Sequence, residues 1–318
     1  MPNKKPKAKK KSTTARTKRA APATPPLAVD RRAMEKTTAD LMRLLSTREF
    51  DSVDDANAFL QQALASGAPL SAPPRTPLEQ AQDLMYDAWN ATGRRRIQLA
   101  RQALARSPDC ADAYVLLAEE ATTTPEEARD LYQQGVAAGE RALGPELFVE
   151  GFGHFWGLVE TRPYMRAREG LAHALWILGE REAAIGHLTA MLQLNPSDNQ
   201  GVRYVLAQWL LETGADEELG QLLDQYPDDA AAAWAYTRAL WRFRQQGATA
   251  TATAALAEAL STNQFVPAYL LGRKRLPQRL PEYVGFGDDS EAIEYAAHGT
   301  EAWRMTPGAL DWLASTLR

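Results

Sequence analysis

The densest grouping of recognition side chains lies mid-chain. Residues 144–168, GPELFVEGFGHFWGLVETRPYMRAR, set Gly151, Gly153 and Gly157 around His154, Phe155 and Trp156, followed by Glu160, Arg162, Tyr164, Arg166 and Arg168. Rings beside guanidinium groups form cation–π stacks and fork-shaped, charge-assisted bonds, which suits a pocket for an acidic peptide or a planar ligand. The alternative needs no ligand: Phe152, Phe155 and Trp156 plug a groove between neighbouring elements, and Glu160 pairs with an arginine nearby. A Trp156 substitution separates the two, by loss of stability in one case and loss of binding in the other.

Other chemistry is sparse. His154, His173, His187 and His298 have no acid or cysteine at metal-ligand spacing, so neither a metal nor a cofactor is expected. The sequence has no phosphate-cradling glycine loop, nucleophile elbow or HExxH, and no catalytic residue is expected. Gly285–Asp289 reads as a turn into a last helix, with Asp288, Asp289 and Ser290 as capping residues at the positive dipole end. Cys110, the one cysteine, excludes a disulfide framework and reads as a small buried residue at a junction.

The elements that position these residues are helices. Of 318 residues, 45% are apolar and 24% charged, and strand signals are almost absent. No run approaches the roughly 18–20 apolar residues of a membrane span, and no apolar stretch follows the first charges, so a cytoplasmic, non-membrane protein is expected. The net charge of −4 conceals an asymmetry. Nine basic residues between Lys4 and Arg19, with no acid among the first twenty, leave 27 basic against 40 acidic residues, a balance of −13. Residues 1–29 are expected to be disordered, because they carry too little apolar surface to offset ordering entropy, and able to touch nucleic acid non-specifically.

Helical segments are expected at Arg31–Leu45 and Val53–Ala65, then a proline-rich linker to Pro77. The clearest unit is Met165–Asp198, 34 residues long. Leu171, Ala172, Leu175 and Trp176 mark one helix face, Gly179 a C-terminal cap, and Ala184, Ile185, Leu188, Met191, Leu192 and Leu194 a second face. Asn195-Pro196 ends it. Leu171, Ala172, Leu175, Gly179, Ala184, Leu188, Met191 and Pro196 match the signature of the tetratricopeptide repeat, which this unit resembles. Weaker copies fill residues 77–110, 111–140, 199–228 and 230–267.

A narrower resemblance rests on AQDLMYDAW, CADAYVLLAEEATT and EEARDLYQQGVAAG within residues 81–138. Val266–Leu271 and DSEAIEYAAHGTEAWRMTPGALDWL, residues 289–313, carry it as well. These stretches are similar to the soluble core of the suppression-of-tumorigenicity seven family. The resemblance implies a helical-repeat body, and animal members carry membrane segments for which this chain has no counterpart. The asparagine-plus-lysine clamp of chaperone-binding tetratricopeptide proteins is not reproduced.

The expected fold is all-α, a right-handed α-α superhelix of tetratricopeptide-like repeats. Its expected parts are a basic tail (1–29), a helical preamble and linker (30–76), the array (77–267, with an insertion at 144–164) and a C-terminal cap (268–318). Trp303, Leu310, Trp312 and Leu313 would cover the end of the last repeat. The expected function is non-catalytic binding of a peptide or protein on the concave face. Arg162, Tyr164, Arg166, Glu169, His173, Arg203, Tyr204, His154 and Trp156 are the candidate contacts. The alternatives are a nucleic-acid-associated factor using Lys4–Arg19 and a small-ligand receptor using residues 150–168.

Overall fold

A computed structural model of the chain describes residues 31–67, 70, 72–74 and 76–317, with side chains from Met34 onward. The basic tail and part of the proline-rich linker lie outside the described residues. Within them the chain forms fifteen α-helices and no strand, in line with the expected superhelix of α-hairpins. A preamble of α1 (Arg31–Leu45) and α2 (Val53–Ser66) precedes five helix pairs. The pairs are α3 (Pro77–Asn90) with α4 (Arg94–Arg106), α5 (Ala111–Glu120) with α6 (Pro125–Glu150), and α7 (Arg162–Ile177) with α8 (Arg181–Leu194). They continue with α9 (Val202–Thr213) and α10 (Asp216–Gln225), then α11 (Ala232–Gln246) and α12 (Ala250–Thr262). A short α13 (Val266–Leu270), α14 (Asp289–Met305) and α15 (Ala309–Thr316) end the chain.

Local chemistry sets many of these boundaries. Thr76 and Glu79 form a reciprocal capping box at α3, with Pro77 in the first helical position, and Thr124 accepts the Glu127 N–H ahead of Pro125 at α6. After α7 the chain turns at Gly179 (φ +85°), whose left-handed conformation lets the Glu180 N–H reach the Leu175 carbonyl at 2.9 Å. Asp288 caps α14 as expected, accepting from the Ser290 and Glu291 amides.

The first helices of successive pairs pack on one another, α3 on α5, α5 on α7 and α9 on α11, so they line the inner face of the array. Between α6 and α7 the approach depends on missing side chains. A Cβ on Gly139 would meet the Tyr164 Cβ at 2.8 Å, and one on Gly170 would enter the Tyr132 ring. One apolar core runs from Val115 to Leu313, and a smaller one around Met85, Leu99, Leu116 and Cys110 fills α3 to α5.

Two features depart from the expected layout. Helix α6 kinks at Gly144 (φ +67°) and Pro145 and continues to Glu150, so part of the insertion is helical. The C-terminal segment does not simply close the end of the array. Helix α14 lies back over α9 and α11 on the inner face with Trp303 fully buried, and Trp312 of α15 stacks on Phe243 of α11 at 4.6 Å. At the other end α1 lies along α3 and reaches α7, so each end of the inner face is covered by one of the chain's own helices.

Candidate functional site

Helix α7 has two faces. Tyr164, Met165, Ala167, Leu171, Ala172 and Leu175 are buried in the core. Arg162, Arg166, Glu169 and His173 recur at helical spacing on another face, which looks across the inner surface.

Arg166 is the centre of this surface, its side chain 10% exposed. It donates through Nε and Nη2 to the two carboxylate oxygens of Asp112 on α5, at 2.7 and 2.6 Å. Nη1 and Nη2 reach both oxygens of Glu35 on α1, each at 3.0 Å. The guanidinium lies 5.3 Å from the centre of the Trp89 ring. One arginine thus holds two forked carboxylate contacts, bonds that are shorter and stronger than neutral ones. Gln82 donates to Asp112 at 2.7 Å, and the buried Cys110 thiol lies 3.9 Å from the Gln82 amide oxygen. Burial opposes the charge on Arg166, but Asp112 and Glu35 outweigh it and hold its pKa above the usual arginine value. Burial, with the nearby Asp112 charge, pushes the Cys110 thiol up to about 12, the state of an inert thiol.

Arg162 adds a second cation, with Nη1 3.5 Å from Glu35 and Nε donating to the Trp156 carbonyl at 3.0 Å. Farther along α1, Arg43 binds Asp83 of α3 through two bonds of 2.8 and 3.0 Å, and Lys36 stands 5.9 Å above the Tyr86 ring. Beneath this half of α1 is a cleft of about 330 Å³, bordered by Ala39 and Met42 of α1, Leu78 and Tyr86 of α3, and Leu143 and Val159.

The remaining candidates fall into three places. Phe155 is fully buried against Phe148 and Tyr164, at 5.0 and 6.0 Å between ring centres, with the Thr161 hydroxyl on its carbonyl. Trp156 is half-buried on the core, whereas His154 and Phe152 face solvent. Tyr164 is buried, its hydroxyl against Arg168. Arg203 and Tyr204 form a separate cluster on α9. Arg203 binds Asp229 and Asp198 at 2.7 and 2.9 Å and stacks 4.3 Å from the Tyr204 ring centre. Burial and the bond to Asp229 push the Tyr204 phenol up to about 12. Glu169 and His173 lie on the strip between α1 and α14, His173 edge-on to Trp209 at 5.3 Å. Arg166 and Arg203 therefore differ from the open groove cations expected of them: internal carboxylates already take up their donors.

Sequence reasoning missed the carboxylates. Glu35 and Asp112 are both buried, but Asp112 sits in the first turn of α5, where an acid is already explained by the helix dipole. Glu291 is buried as well. It accepts from the Ala232 N–H that opens α11, from Asn263 and from Gly287, at 2.9, 3.0 and 2.8 Å. One signal was readable: α11 begins among alanines that cannot cap it, so its donors need an acceptor from elsewhere. Among the described residues no three His, Cys, Asp or Glu side chains gather as a metal site. Nor is any helix among them long and apolar enough to cross a membrane.

Comparison with known proteins bears on the same surface. The model of the family described as ST7 protein matches residues 74–148, which include Gln82, Trp89 and Asp112. "Suppressor of tumorigenicity 7 protein-like" of Rattus norvegicus is 32% identical over 262 residues, covering 75% of this chain and 47% of that protein. The Homo sapiens protein of that name is also 32% identical, with 75% of this chain and 45% of that protein covered. "Protein ST7 homolog" of Caenorhabditis elegans is 29% identical over 269 residues, covering 73% of this chain and 50% of that protein. The chain thus spans about half the length of the curated relatives it matches. The chain belongs to the ST7 family.

Proposed function

We propose that the chain is a non-catalytic, cytoplasmic scaffold that binds a partner polypeptide on the inner face of its helical array. One observation carries this reading: the inner face already seats two helices of the chain itself, α1 through carboxylate–arginine bonds and α14 through buried rings. A surface that seats helices in its own chain has the curvature and chemistry to seat one from another chain. The names of the relatives describe suppression of tumorigenicity rather than a reaction, which agrees with a binding role.

The open strip around Glu169 and His173 is the point of first contact in this reading. In affinity capture with site mapping, the double variant Glu169→Arg, His173→Asp is expected to lose the partner that the unsubstituted chain retains. Gln193→Lys, exposed on the second helix of the same pair, is expected to retain it. Equal capture by all three chains overturns the inner-face assignment.

A further inference from the structure

We infer that α1 is a resident ligand of the inner face, and that the partner is an amphipathic helix whose carboxylate replaces Glu35 in the Arg166 seat. This rests on the inner-face reading above and names the chemistry of what binds there.

The charges of the seat support it. With α1 in place, Arg166 and Arg162 face Glu35 and Asp112, two positive groups against two negative. Lifting α1 removes Glu35 and leaves Asp112 as the one carboxylate bonded to either arginine, a local excess of one positive charge beside the Trp89 ring, while Asp83 farther along loses Arg43. Desolvating that excess is costly unless another anion arrives, so the vacated seat selects a carboxylate. The forked geometry on Arg166 suits a planar group with two oxygens.

The fit of α1 supports it as well. From Met34 to Leu45, Glu35 is the one buried side chain, and Met34 and Met42 are 58% and 52% exposed. Helix α2, which follows, has no buried residue. The cleft of about 330 Å³ beneath α1 is bordered on that side by Ala39, Met42, Arg43 and Ser46, so at position 39, four residues after Glu35, α1 places only a methyl group beside open space. An occupant with glutamate at one position and a leucine or phenylalanine four residues later keeps the seat and fills the cleft. Those positions are adjacent on one helix face. Because α1 is tethered, it competes at an effective concentration of about millimolar, and the better-fitting occupant overcomes that advantage.

The test uses the full chain and a labelled synthetic peptide of residues 31–46 carrying Ala39→Leu. Glu35→Lys in the full chain sets a third cation against Arg166 and Arg162. It is expected to abolish exchange protection of the α1 amides while α7 and α9 stay protected. The peptide is then expected to bind this variant saturably and at least tenfold more tightly than the unsubstituted chain. Glu35→Gln within the peptide should weaken it at least tenfold, and raising salt should weaken it further. Should Glu35→Lys unfold the array, Glu35→Gln in the full chain provides the same comparison. No saturable binding, or binding indifferent to the peptide's glutamate, overturns the seat. If partner capture still depends on Glu169 and His173 in that case, the inner-face reading stands and only the resident-ligand inference falls. Loss of both results removes both.

Discussion

Helices α1 and α14 cover the two ends of one face by opposite means. The buried side of α14 is Ala292, Tyr295, Ala296, Ala302 and Trp303, with Glu291 as its one buried carboxylate. On α1, from Met34 on, the one fully buried residue is a carboxylate, beside a largely covered Arg43 and half-buried leucines. Apolar burial stabilises roughly in proportion to area, about 25 cal/mol per Å², and is spread over many contacts. An ion pair concentrates its hold in a few bonds whose gain is largely offset by desolvation. Helix α14 is thereby part of the core, whereas α1 is placed mainly through charged side chains. The composition of each covering helix, more than its position, sets how it is held.

The comparison is broken most directly at Trp303. Its ring is fully buried between Tyr236 and Trp312, and its indole N–H donates to the Tyr295 hydroxyl at 2.8 Å. Trp303→Ala is expected to cost about 3–5 kcal/mol in denaturant unfolding, as for large aromatics removed from cores. A loss below about 1 kcal/mol, the scale of ordinary surface changes, would make α14 as dispensable as α1. The next largest effect belongs to Arg166→Met. Asp112 is fixed in the body and loses its cation while still buried, so a cost of about 3 kcal/mol is expected, near the lower limit for a buried pair stripped of one partner. Glu35→Ala should cost the whole molecule less than about 1 kcal/mol, because α1 carries away little buried apolar surface when it lifts. Amide exchange would locate that change in α1 and leave α7 unaffected. If Glu35→Ala proves as damaging as Arg166→Met, α1 belongs to the core.

Much of this fold was legible before any coordinates. Leu171, Ala172, Gly179, Ala184 and Pro196 define a hairpin on their own, because small residues at the crossing, a left-handed turn and a proline stop all act within one pair. The placement of α1 and α14 was not legible, since it depends on partners far away in the chain. Glu35 meets Arg166 across 131 positions, and the Ala232 amide meets Glu291 across 59. Periodicity reports which face of a helix is apolar but not which distant residue receives a lone acid on it. For the same reason the repeat signature put Arg166, Glu169 and His173 on a first helix, while the internal pairing of Arg166 stayed hidden.

The smallest effect tests the strip between the two resident helices. Glu169 is half-buried there, accepting from Gln200 at 2.7 Å. Burial raises its pKa, the Asp198 charge adds to the rise, and the Gln200 bond and Arg166 only partly offset them. A carboxyl group whose folded pKa lies above its unfolded value favours the fold while protonated. That contribution is complete below the unfolded value and disappears as pH rises through the folded one. At pH 7 the charged Glu169 is therefore a small liability, and Glu169→Gln should stabilise the chain by a few tenths to about 1 kcal/mol. Below about pH 4, near the ordinary glutamate value, the two chains should melt together. Melting curves at pH 4 and pH 7 read this directly. A variant less stable at pH 7 would mean that Arg166 and Gln200 outweigh burial and Asp198 at Glu169, leaving none of its charge for a partner helix lying between α1 and α14.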